Sequence, residues 1–92
     1  MIEFDPDKAR LNRLKHGIDF TDVEPVFFDP RAFTTDRPWP TPRGTELRHI
    51  TTGTDALGRV VTVVWTRRGT NLRLISARHP REDERRHYEK VG

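Results

Sequence analysis

Ninety-two residues allow one domain and leave little room for a second. Hydrophobic residues make up 33% of the chain and cysteine is absent, so the core must be small, and disulfides, zinc–thiolate centres and thiol nucleophiles are excluded. The net charge of +3 hides an uneven distribution: residues 1–33 carry five basic and seven acidic groups (net −2), residues 67–92 carry eight and four (net +4), and 14 of the 17 basic residues are arginine.

The first residues carry no signal-peptide pattern, so a cytoplasmic protein is expected, with a short strand at residues 2–4. A first helix has clear ends: Asp5 as N-cap, Pro6 at the first helical position and Gly17 just past the last. Phe4 and Ala9 stand at staple spacing. Ala9, Leu11 and Leu14 predict its apolar stripe, with Lys8, Asn12 and Lys15 on another face. Lys15 and His16 fall in the last turn, where positive charge complements the helix dipole. A second helix is predicted from Thr21, because Thr21-Asp22-Val23-Glu24 has capping-box spacing, and it ends before Asp29-Pro30. Val23, Val26 and Phe27 would face the core.

Residues 36–45 contain Pro38, Pro40, Pro42 and Gly44 and read as a loop. Trp39 on that loop has three readings: it stacks on a base, anchors a protein partner, or folds back over the core. Residues 46–53, 59–66 and 71–78 read as three strands joined by short turns, hence antiparallel neighbours. The run Val60–Trp65 is apolar on both parities and predicts a central strand covered on both faces; it is too short to span a membrane. In the strand before it Glu46, Arg48 and Ile50 share a face; in the strand after it Leu72, Leu74, Ser76 and Arg78 are expected to share one. Pro80 starts a polar terminal helix with Glu82, Asp83 and Glu84 in its first turn. The order predicts an α+β fold: two N-terminal helices, an antiparallel β-sheet and a C-terminal helix.

No Walker loop, dinucleotide fingerprint, zincin or nucleophile-elbow motif is present. His16, His49, His79 and His87 lack carboxylates at ligand spacing, so no metal and no other cofactor is expected. What remains is a cluster of Glu46, Arg48, Arg73, Arg78, His79 and Tyr88 on or beside the sheet. RNA carries its own nucleophile, the 2′-hydroxyl. A ribonuclease therefore needs a proton acceptor, a proton donor and cations for the phosphorane charge. Arginine stays protonated and suits the last role, while Glu and His suit proton transfer. The competing reading is an ordinary charged surface with edge-strand arginines and a Glu46–Arg48 pair.

Phe4-Asp5-Pro6-Asp7-Lys8, Asn12 and Lys15-His16-Gly17 resemble the N-terminal signature of BrnT-type toxins. Phe20, Phe27-Phe28-Asp29-Pro30, Glu46-Leu47-Arg48, Gly53, Gly58-Arg59 and Arg73-Leu74-Ile75-Ser76-Ala77-Arg78 continue it, with Arg81, Glu82, Arg85, Arg86, Tyr88 and Glu89 at the end. Thr52, Arg67, His79-Pro80 and the proline-rich segment around Trp39 depart from the pattern. The resemblance implies a type II toxin of RelE-like microbial ribonuclease fold, in one domain over residues 1–92, that cleaves RNA without metal and arrests translation. It also implies a ribbon-helix-helix, BrnA-like antitoxin, a heterotetramer, and operator DNA bound only through the antitoxin. Carried onto this chain, the catalytic positions are Lys15, His16, Glu46, Arg48, Arg78 and Tyr88. We assign Arg48 and Arg78 to phosphate charge and Glu46 or a histidine to proton transfer, and expect Arg67, Arg73, His79 and Arg81 to bind RNA. A non-catalytic member of the fold, binding an antitoxin or nucleic acid as a regulator, is the alternative.

Overall fold

Residues Pro6–His16 form helix α1 with the ends the sequence sets: the Asp5 carboxylate accepts from the Asp7 N–H, and Gly17 closes the helix at φ 71°, a left-handed conformation that favours glycine. The computed structural model describes residues 1–91. Ahead of α1 lies strand β1 (Ile2–Glu3). After it come two 3-10 segments, Phe20–Asp22 and Glu24–Phe28, then β2 (Phe33–Thr41), β3 (Gly44–Thr54), β4 (Val60–Arg68), β5 (Asn71–Arg78) and helix α2 (Glu82–Val91). The sheet has the order β1-β5-β4-β3-β2, and β4 is central as expected. It is mixed rather than antiparallel, because β1 runs parallel to β5.

Four local expectations are corrected. The predicted second helix is replaced by the two 3-10 segments. Asp19, not Thr21, caps the first through the Thr21 N–H, and Pro25 has no N–H to donate to the fourth residue before it. Val23 and Val26 are fully buried all the same, and Phe27 meets Trp65 edge-on at 5.7 Å between centroids.

The predicted loop at 36–45 is mostly strand. Phe33–Thr41 pairs with Gly44–Thr52 as a hairpin at the sheet edge. Pro38 and Pro40 are two residues apart, so their missing N–H groups face the same way. On an edge strand that way is outward, and no ladder bond is lost.

The apolar stripe of α1 lies elsewhere. Leu11 and Leu14 are 59% and 75% exposed, and Asn12 is the buried residue of the helix. Its amide donates to the carbonyls of Ala77 (2.8 Å) and Ile18 (3.0 Å) and accepts from the Ala77 N–H (3.1 Å). The cause is β1, whose two residues pair only with Leu72 and Arg73. Beyond them the outer edge of β5 has unpaired backbone groups, and a helix docked there must bring a hydrogen-bonding side chain rather than a leucine.

Finally, β5 carries a bulge at Ile75: Leu74 opposes Trp65, and Ser76 opposes Val64. The extra residue reverses the alternation. Leu72 and Leu74 therefore join Ala77 on one face, and Arg73, Ser76 and Arg78 share the other.

The core lies on the face of Val61, Val63, Trp65, Leu74 and Ala77, against Ile18, Phe20, Val23 and Val26. Each large aliphatic side chain buried there contributes about 1.5–3 kcal/mol. Helix α2 covers part of the opposite face, where His87 packs on Phe33 at 4.2 Å and the Tyr88 hydroxyl bonds to Thr54 at 2.6 Å. Among the described residues no helix is long and apolar enough to cross a membrane.

Candidate active site

The strand register decides which side chains meet on the half of that face which α2 leaves open. Arg37 stands directly across from Arg48, Trp39 from Glu46, Ile50 from Val64, and Val64 from Ser76. Arg37, Trp39, Arg48 and Ser76, together with Arg78 at the end of β5 and Arg81 just before α2, line a groove of about 230 Å³ with an apolar floor of Ile50, Val64 and Ile75.

Four guanidinium groups line this groove, and two carboxylates, Glu46 and Glu84, contact them. The surplus is therefore two positive charges. Like charges directly opposite on paired strands are destabilising. An Arg37–Arg48 pair is thus a local cost that an anion in the groove would offset.

Two of these cations, Arg48 and Arg78, are held in place by carboxylates. Arg48 donates from Nε to Glu46 at 3.1 Å and lies over the Trp39 ring, 4.6 Å from its centroid. Arg78 makes a forked contact with Glu84, at 2.8 and 3.1 Å. Glu84 also accepts from the Arg81 N–H at 2.8 Å and the Thr62 hydroxyl at 3.3 Å. Burial alone would push the Glu84 carboxyl up. The Arg78 and Arg81 hydrogen bonds and charges outweigh it and hold the group below the usual carboxylate range.

Lys15 and His16 line a neighbouring depression that shares Ile75 and Ser76 with the groove. Partial burial, and after it the charges of Lys15, Arg78 and His79, lower the His16 pKa below 6.5. The imidazole is therefore neutral at cellular pH and able to accept a proton.

The structure thus brings Arg48, Arg78 and Arg81 to one groove, with Glu46 bonded to Arg48, and sets Lys15 and His16 in the depression beside it; His79 follows Arg78, and its charge is felt at His16. The structure does not bring Tyr88, Arg67 or Arg73 to the groove. Tyr88 is buried, with its hydroxyl donating to Asp29 at 2.5 Å; burial and then Asp29 raise its pKa, so it is a neutral pin between α2 and the end of β3. Arg67 falls on the opposite face, its guanidinium 5.7 Å from the Trp65 ring centroid. Arg73 shares the groove's face but reaches away to Glu3 at 3.4 Å. Arg37 and Glu84 lie outside the expected set. Parity would have found Arg37 had β2 been read as a strand; Glu84 looked like one of three acidic first-turn residues.

A family model described as the ribonuclease toxin, BrnT, of type II toxin-antitoxin systems matches residues 4–84. That span includes every groove residue and ends before Tyr88. The fold is similar to that of a crystal structure of the Brucella abortus ribonuclease toxin BrnT, with 25% sequence identity, a TM-score of 0.62, and coverage of 88% of this chain and 96% of that one. No curated protein matches the chain.

Proposed function

Because the chain belongs to the BrnT family of ribonuclease toxins of type II toxin-antitoxin systems, we propose that it is a metal-independent endoribonuclease. It acts as a single domain in the cytoplasm, cleaves RNA by 2′-hydroxyl attack, and so arrests translation. The observation that carries this reading is the convergence of Arg37, Arg48 and Arg78, from three different strands, on one groove with surplus positive charge.

In this reading the scissile phosphate sits between Arg48 and Arg78, which neutralise the charge that builds on it in the transition state. Neutral His16, at the β5 margin, takes the 2′-hydroxyl proton as the 2′-oxygen bonds to phosphorus. The bond to the 5′-oxygen breaks, Arg48 carries the developing charge there, and a water relays the proton from protonated His16 to the 5′-oxygen, which restores the neutral imidazole. The products are a 2′,3′-cyclic phosphate and a 5′-hydroxyl. Glu46 orients Arg48, Lys15 and His79 hold the neighbouring backbone, and Arg81 guides the strand at the rim. Tyr88 supports α2.

Cleavage of total RNA by the purified chain in EDTA, with the ends mapped, tests this. Arg48→Ala and Arg78→Ala should each lower the rate about a hundredfold or more while both proteins remain folded. Undiminished cleavage in both variants would overturn it.

The partner proposed is a ribbon-helix-helix, BrnA-like antitoxin that assembles with the toxin as a heterotetramer and brings it to operator DNA. Expression of the chain alone should arrest growth, and co-expression of such an antitoxin should relieve the arrest. One observation favours a second reading, a non-catalytic regulator of the same fold: Arg78 is already engaged by both oxygens of Glu84. Growth arrest without RNA cleavage would select it.

A further inference from the structure

The edge hairpin of β2 and β3 carries a feature that charge neutralisation does not use. Trp39 is 41% exposed at the groove although it is one of the two largest side chains available to a small core. One face of its indole is covered by the Arg48 guanidinium, 4.6 Å from the ring centroid. The same guanidinium is tied to Glu46 at 3.1 Å, and Glu46 stands directly across the strand pair from Trp39. The ring is therefore braced from one side, beside a group assigned to the phosphate.

The backbone around it is equally restrained. Pro38 and Pro40 fix φ on both sides of Trp39. They also remove two N–H donors from the outer edge of the sheet, which bars a protein segment from adding a strand there. What fits a braced indole plane beside a row of arginines is a flat, neutral ring joined to anionic groups on either side. That is the chemistry of a nucleobase in a single strand.

We propose that Trp39 is a specificity-determining residue: it stacks on the base adjacent to the scissile phosphate and selects purines, whose larger ring system overlaps more of the indole. This rests on the ribonuclease reading above. It adds a subsite that the phosphate contacts alone do not create, since every nucleotide offers the same phosphate.

The test joins binding and cleavage. Oligoribonucleotides bearing 2′-O-methyl groups lack the nucleophile and cannot be cut. An oligo-A of this kind should quench the Trp39 fluorescence of the unaltered protein more than an oligo-U of equal length, and Trp39→Phe should abolish the quenching because Trp65 is buried. In cleavage, Trp39→Ala should lower kcat/KM about five- to hundredfold, the range for loss of one stacked base. It should also erase purine enrichment beside the mapped cuts, while Trp39→Phe keeps most of both.

Equal rates and an unchanged cut pattern in Trp39→Ala would overturn the stacking subsite and leave the ribonuclease reading intact. Purine-selective quenching by a protein that cuts no RNA would support the subsite and overturn the ribonuclease. Loss of antitoxin binding in Trp39→Ala, with quenching absent and cleavage unchanged, would assign Trp39 to the protein partner instead. If Trp39→Ala fails to fold, quenching of the unaltered protein still decides: none with either oligonucleotide overturns the proposal.

Discussion

Arg78 and Glu84 form one contact that serves both stability and the proposed chemistry. The forked pair ties β5 to α2 and fixes the guanidinium plane at the groove. Replacing Glu84 by Gln keeps the shape but removes the charge, and the loss of hydrogen bonds to a charged group should cost about 1.5–3 kcal/mol of stability. The pH dependence follows from the lowered carboxyl. A group whose pKa falls on folding stabilises fully above its unfolded value and loses that contribution as pH drops through the folded value. Thermal melts should therefore show the unaltered chain losing stability below about pH 5. The Glu84→Gln protein should start lower at neutral pH and fall less steeply. Parallel curves would show that the pair adds nothing.

His16 makes the kinetic counterpart. Its pKa is lowered from 6.5, chiefly by burial, so the neutral, proton-accepting form persists to more acidic pH than in a free imidazole. As the base it should give kcat/KM a plateau at neutral pH and an acid limb, as the ring protonates, at lower pH than a free imidazole would give. His16→Asn should lower the plateau about 10²- to 10⁴-fold and remove that limb. A pH profile with the same limb in His16→Asn would move the role to another group. His16 was legible in the sequence as a helix-end cation; its neutral state was not, because Arg78 and His79, which help to set it, lie more than sixty positions away.

Elements were legible where local chemistry decides them and obscured where a neighbour does. The ends of α1 and the strand character of β3, β4 and β5 follow from caps, turns and alternation, and the structure has them. The docking face of α1 does not follow, because Leu11 and Leu14 look like the apolar stripe until the short β1 leaves the edge of β5 unpaired. Asn12 answers that edge, donating to and accepting from the backbone of Ala77. Asn12→Ala leaves those buried groups without partners and should cost about 1–3 kcal/mol for each one left unsatisfied. Each kilocalorie lowers Tm by about 4–8 °C in a domain of this size. A melt within one degree of the unaltered chain would show that water replaces the amide at no cost.

The bulge at Ile75 was hidden for a similar reason, since one inserted residue leaves no mark in composition. It nonetheless decides the site. Without it Arg78 and Leu74 would share a face, and one of the two would be misplaced. In the proline-rich segment, the same residues that suggested a loop are those an edge strand tolerates. The sequence read alone could not tell the two apart, because the difference is whether a partner strand lies on one side.

Across the whole molecule, a sparse core and a surplus of arginine turn out to be two aspects of one arrangement. One face of the sheet carries the buried core, while half of the other is left to α2 and half to solvent. The uncovered half is where charge gathers: its four arginines against two carboxylates hold two of the three surplus positive charges of the chain. Local rather than net charge should therefore govern RNA binding. Each phosphate neutralised on a single strand contributes about −0.7 to the slope of log K against log salt. With four guanidinium groups and two contacting carboxylates, a 2′-O-methyl oligoribonucleotide should show a slope near −1.4 if the carboxylates stay paired, and near −2.8 if RNA displaces both. Arg48→Ala should make the measured slope shallower by about 0.7, and so should Arg78→Ala. Arg67→Ala, on the opposite face, should leave it unchanged. A slope equally sensitive to all three substitutions would mean that RNA reads the overall positive charge of the molecule and not this groove.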